Sequence, residues 1–133
     1  CLTFDVDVMT GFIARGMTTP TPISRGEFGL VALPRILDLL SAHAIRGTFF
    51  VPGVVIDMFP DACEAIVAAG HEIGHHGYMH EPPSGLDLAT QERLLLRGLE
   101  CLDRVAGVRS SSERFTGAGD AGPDASSAVS AAI

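Results

Sequence analysis

Hydrophobic positions in the first hundred residues switch repeatedly between a two-residue period and one of about 3.6 residues. Leu2 to Asp7 is a β-rich run closed by Asp5 and Asp7, and the Gly, Pro, Thr and Ser punctuation of Val8 to Phe28 predicts a long loop after it. Leu33, Ile36, Leu37 and Leu40 then recur at helical spacing to about His43, with Pro34 placed in a first turn where its missing N–H costs nothing. Gly47 to Val51 is β-branched and aromatic and stops at Pro52-Gly53, the pattern of a buried strand. Pro60 opens a second helix with Ala62, Ile66, Val67 and Ala69 on its apolar side, and Gly70 stands where a left-handed cap is expected. Glu72 to His75 predicts a third strand, and His76 to Leu86 a loop rich in functional groups. Asp87 or Thr90 caps a third helix whose inner face is read as Leu95, Leu99, Leu102 and Ala106. This alternation predicts an α/β fold in which parallel strands are joined by right-handed helical crossovers.

From Gly107 to Ile133 the pattern fails: six Ser, six Ala and four Gly surround a single aromatic, Phe115, with no apolar period, and poor order is expected there. The 133 residues suffice for one domain. A net charge of −7, with no stripe of arginines, argues against binding nucleic acid through its phosphates. All nine basic residues are Arg, so chemistry that needs a lysine is excluded, including a phosphate-loop lysine or a Schiff base. The longest apolar runs, such as Thr48 to Ile56, fall far short of the roughly 20 residues that span a bilayer, so no transmembrane segment is expected. Cys1, Cys63 and Cys101 are widely separated and odd in number, which suggests small apolar fillers rather than a disulfide framework. Because Cys1 stands in place of Met and strand character starts at Leu2, the N-terminus is expected to lie further upstream. The compartment is left open, with the cytoplasm as the default.

Candidate chemistry gathers in two places. Asp5 and Asp7 share one face of the first strand at its end, where parallel α/β folds build their sites. Four of the five histidines fall within the ten residues from His71 to His80. His76 and His80, four apart, suit a borderline metal such as zinc. With Asp7 they make a two-His, one-Asp set that leaves positions open for water and substrate, as catalytic rather than structural sites do. Asp, His and His also accommodate cobalt, iron or manganese.

These motifs resemble the polysaccharide deacetylase family of metal-dependent N-deacetylases and related amide hydrolases. Thr3-Phe4-Asp5-Val6-Asp7 is similar to the family's Thr-Phe-Asp-Asp motif with one residue inserted, and Thr48-Phe49-Phe50-Val51-Pro52-Gly53 to its second-strand signature. Gly70 to His80 resembles Gly-His-Glu-Ile-Gly-Asn-His-Thr-x-x-His, with His75 in the Asn position and Gly77 in the Thr position. The Asp-Val-Asp and His-Gly-Tyr-x-His-Glu forms are those of a subgroup with peptidoglycan-deacetylase-like and allantoinase-like members. The resemblance, which covers about Leu2 to Arg109, implies the N-terminal portion of a distorted (β/α) barrel, with 1–109 as partial catalytic domain and 110–133 as tail. It implies a divalent ion, zinc first, on Asp7, His76 and His80, with Asp5 as general base. A bound ion lowers the pKa of its water toward about 7, and a carboxylate one hydrogen bond away can take the proton. Tyr78 either donates to the oxyanion or packs beneath the loop. His75 either supports the neighbouring ligand or is structural, and His71 and Glu72 are structural. The implied substrate is an N-acetylated carbohydrate or a small cyclic or acyl amide, and full-length relatives are expected to be homo-oligomers.

The chain departs from the family after Gly107-Val108-Arg109. Arg114 falls by spacing where the family has an Arg that orients the catalytic Asp, but its surroundings differ, and the later motifs that supply a pocket wall and a leaving-group acid have no counterpart before Ile133. A barrel needs on the order of 250 residues, so the chain is read as an N-terminal fragment. The absence of Lys and Asn suggests a GC-rich gene, in which a frame shifted soon after Arg109 would give such an Ala, Ser and Gly run. Two alternatives stand beside the deacetylase reading. One is a metal-binding protein without turnover. The other is a haloacid-dehalogenase-type phosphatase with Asp5 as nucleophile, which would want a lysine that the chain lacks.

Overall fold

The computed structural model describes residues 2–113 and 129–131, with side-chain surroundings for 2–106. Four parallel strands, β1 (Thr3–Asp5), β2 (Thr48–Val51), β3 (Glu72–His75) and β4 (Val129–Ala131), lie side by side in that order. Helices α1 (Thr10–Ile13) and α2 (Pro20–Ala42) join β1 to β2, and α3 (Gly53–Met58) and α4 (Pro60–Ala68) join β2 to β3. A 3-10 turn (Pro83–Gly85) precedes α5 (Leu88–Glu113). The expected α/β alternation and parallel sheet are present. No helix among the described residues is long and apolar enough to cross a membrane.

Phe49, Val51 and Ile73 on the central strands are essentially inaccessible. They pack with Leu33 and Leu40 of α2, Val55 and Ile56 of α3, Cys63 and Ile66 of α4, and Leu102 and Val105 of α5. Cys63 and Cys101 are buried free thiols, as small apolar fillers should be, while Cys1 lies outside the described residues. Gly70 takes φ +81° after α4, and His71 N–H then donates to the Ile66 carbonyl, the left-handed cap anticipated there. Asp87 proves to be the cap of α5, accepting the Thr90 N–H at 2.8 Å.

Three expectations need correction. Most of the loop placed at Val8 to Phe28 is helical, and α2 starts at Pro20, so Pro34 lies inside the helix rather than in its first turn. β2 ends at Val51 where Pro52-Gly53 is expected to stop it, and Gly53 opens α3 directly, with Pro52 in the extended conformation of an N-cap. On α5 Leu102 is buried and Leu99 packs against the core as expected, but Leu95 is exposed, and over residues 88–106 the buried face is completed by Gly98, Cys101 and Val105. The helix also runs on through Arg109 to Glu113, and 129–131 pairs with β3, within the stretch expected to lack order.

Candidate functional site

Asp5 closes β1 and Asp7 follows it, while His76 directly follows β3 and His80 lies in the turn beyond. All four therefore stand at the C-terminal edge of the sheet, on either side of β2, whose Phe50 is paired with Asp5 and Gly74. The edge is held firmly on the Asp side. Thr10, fully buried, donates its hydroxyl to the Asp7 carbonyl at 2.7 Å and its N–H to the same oxygen at 2.9 Å. Helix α2 crosses this turn so closely that a Cβ on Gly26 would stand 2.5 Å from the Met9 Cα. Two residues here have left-handed backbones uncommon for side chains of their kind, Val8 (φ 51°) beside Asp7 and His80 itself (φ 63°).

On the histidine side, the first-turn N–H groups of α3 donate to the loop: Gly53 N–H to the Gly77 carbonyl at 3.0 Å and Val54 N–H to the Tyr78 carbonyl at 2.9 Å. Tyr78 is buried, and its hydroxyl donates to Asp57 Oδ2 at 3.0 Å and receives the Arg97 guanidinium, which also lies 3.7 Å from the ring centroid. Asp57 in turn pairs with Arg104. Burial tends to raise the Asp57 pKa, but the hydrogen bonds from Arg104 and Tyr78 bring it below the usual carboxylate range. Of the two roles open to Tyr78, the structure supports packing beneath the loop, because its hydroxyl is committed to Asp57 and Arg97.

His75 points into α5 and is buried, with Nδ1 accepting the Gly77 N–H at 3.3 Å. It thus supports the turn between the two candidate ligands without joining them. His71 accepts the Gly47 N–H on Nδ1, and Glu72 receives the Thr48 hydroxyl, so both tie β3 to the start of β2. Arg114 lies outside the described residues.

Asp7, His76 and His80 each offer a ligand atom, and these atoms lie within 4.8 Å of one another. His76 Nε2 is 3.3 Å from Asp7 Oδ1, and His80 Nε2 is 3.5 Å from Asp7 Oδ2. Asp5 Oδ2 stands slightly further out, 4.0 Å from His76 Nε2, with its side chain more than half exposed. His76 holds the Asp7 carboxyl below the usual range against the opposing effect of burial, and Asp7 in return raises the His76 pKa. Yet both Asp7 Oδ1 and His76 Nε2 are buried without a hydrogen-bond partner. Two orphaned polar atoms facing a third donor atom are what a divalent ion would satisfy. Ligands about 2.0–2.2 Å from a tetrahedral ion lie about 3.4 Å apart, close to the 3.3 and 3.5 Å that separate the two imidazoles from the two Asp7 oxygens. The residues present therefore fit a metal ion.

Glu81 stands in the His-Gly-Tyr-x-His-Glu form of the sequence with no role of its own assigned, and neither Asp57 nor Gly98 carries a sequence signal, although all three shape the loop. Asp57 and Gly98 come from α3 and α5, and only the packing of those helices brings them in.

A family model described as polysaccharide deacetylase matches residues 29–128, a span that contains His76 and His80 but begins after Asp5 and Asp7. A peptidoglycan deacetylase of Helicobacter pylori is 38% identical over 106 residues, covering 77% of this chain and 36% of that protein. A solved Mycobacterium smegmatis structure assigned to the polysaccharide deacetylases superposes with a TM-score of 0.75 at 39% identity, covering 80% of this chain and 39% of that one. The Puue allantoinase, at 24% identity and a TM-score of 0.68, shares the fold. The chain spans about a third of the length of the curated relatives it matches. These matches agree with the resemblance read from the motifs and not with the phosphatase alternative.

Proposed function

The chain belongs to the polysaccharide deacetylase family, and from that premise we propose that it carries the metal-binding part of a hydrolase that removes acetyl groups from N-acetylated sugars. The observation that carries this reading is the convergence of Asp7, His76 and His80, with two of their ligand atoms buried and unpartnered. These three residues would hold a divalent ion, zinc first among the candidates. Bound there, the ion would supply Lewis acidity, polarising an amide carbonyl and lowering the pKa of water toward about 7.

The chain's own residues do the rest. Asp5 lies just outside the ligand set and is open to solvent, so its carboxylate is free to accept a proton from water entering the cleft. Asp7 cannot share that task while its two oxygens face His76 and His80. Thr10 and Gly26 fix the turn that presents both carboxylates.

The test is acetate release from N-acetylglucosamine oligomers, with zinc added. Activity that disappears in Asp5→Asn while bound zinc is retained supports the assignment, since only the proton acceptor is lost. Full activity in Asp5→Asn would remove Asp5 from the reaction. Zinc bound by the wild type with no acetate released from any acetylated sugar would favour the second reading, a metal-binding chain without turnover.

A further inference from the structure

Glu81 follows the second candidate ligand, and its carboxylate turns back into the loop that separates the two histidines. Its Oε2 accepts the N–H of Tyr78 at 3.2 Å and that of Met79 at 2.8 Å. Two successive N–H groups converging on one oxygen form an anion-binding nest, here filled by a side chain of the same loop. The nest lies between left-handed turns at Gly77 (φ 73°) and His80 (φ 63°), and the imidazoles on its two sides meet edge to face with centroids 4.8 Å apart. The left-handed φ at Gly77 favours glycine, and the carboxylate packs against the turn at ordinary contact distance, 3.5 Å from where a Cβ would stand.

Resting on the metal reading above, we propose that Glu81 is a positioning residue for the metal centre. By filling the nest it fixes the His76 to His80 separation before any ion arrives. The carboxylate touches neither ligand ring through a hydrogen bond, so its effect passes through the backbone of residues 77–80. Without it, the Tyr78 and Met79 N–H groups seek other partners, the turn relaxes, and His80 loses the left-handed conformation that faces its Nε2 toward Asp7.

Titration of the whole protein with cobalt(II), read by calorimetry and by the visible absorption of the bound ion, tests this. Outer partners of metal ligands are generally worth about 10- to 100-fold in affinity, and Glu81→Ala is expected to weaken cobalt binding by that factor and to alter the absorption band. Glu81→Gln, which keeps an acceptor in place, should recover most of the loss. Glu81→Asp, which keeps the charge but withdraws it from the nest, should remain about tenfold weaker. If Glu81→Ala does not fold, the other two variants decide: the order given supports the proposal, and the reverse order overturns it. Wild-type affinity and an unchanged band in a folded Glu81→Ala would overturn the positioning role alone. A wild type that takes up no cobalt would overturn the metal reading and this proposal with it.

Discussion

Replacing Gly98 by alanine sets two well-characterised effects against each other, and the structure says which prevails. In an exposed helix interior, Gly→Ala stabilises by about 1 kcal/mol through helix propensity. At Gly98, however, the new Cβ would overlap His75 Nε2, stand 2.6 Å from Cδ2 of the same ring, and lie 3.3 Å from the Gly77 carbonyl. His75 is buried and its Nδ1 is tied to the Gly77 N–H, so the ring cannot swing out cheaply. Overpacking of this kind costs about 1–3 kcal/mol, and loss of the His75 to Gly77 hydrogen bond adds about 0.5–1.5 kcal/mol. The net expectation is destabilisation by about 0.5–3.5 kcal/mol once propensity is subtracted. For a domain of this size that lowers Tm by about 2–14 °C. Gly29→Ala serves as the control, because its Cβ meets nothing nearer than the Val8 Cα at 3.8 Å, and propensity alone should raise Tm there. Thermal unfolding followed by circular dichroism at 222 nm reads both variants. A Tm for Gly98→Ala at or above wild type would refute the packing described for His75 and α5.

Two further predictions follow from buried groups. Burial, helped by the nearby Arg46 charge, lowers the His71 pKa, so the unfolded chain takes up the proton before the folded one. Stability should therefore fall as the pH drops below about 6.5, the ordinary imidazole value, and level off below the depressed folded value. His71→Gln should flatten that acid limb in urea titrations across pH 5–8, and an unchanged slope would rule His71 out as its source. Burial also pushes the Cys63 thiol up to about 12 and raises Cys101. Both should resist iodoacetamide at pH 8 in the native protein and react once unfolded, and native labelling of Cys63 by mass spectrometry would contradict its place in the core.

Much of the site could be read from sequence because its ligands sit at strand ends and next to them in the chain. Strand alternation placed Asp5 and Asp7 on one face, and the density of histidine after β3 needed no tertiary information. The helices were harder for physical reasons. Helix α2 opens with Pro20-Thr21-Pro22, and its Gly26 and Gly29 weaken any propensity signal, yet Gly26 is required where the helix touches Met9. On α5 hydrophobic periodicity points to Leu95 because it gives no weight to glycine. The face is centred on Gly98, whose lack of a side chain admits His75. The committed hydroxyl of Tyr78 was equally hidden, since Asp57 and Arg97 lie on different helices, 21 and 19 residues away.

Zinc stoichiometry is the most direct measure of the central claim that Asp7, His76 and His80 form a metal site. The purified protein, stripped with chelator and titrated with zinc by calorimetry, is expected to bind one ion per chain, and His80→Ala to lose that binding while keeping its fold by circular dichroism. One ion held with equal affinity by wild type and His80→Ala, or no ion held by the wild type, would contradict the account.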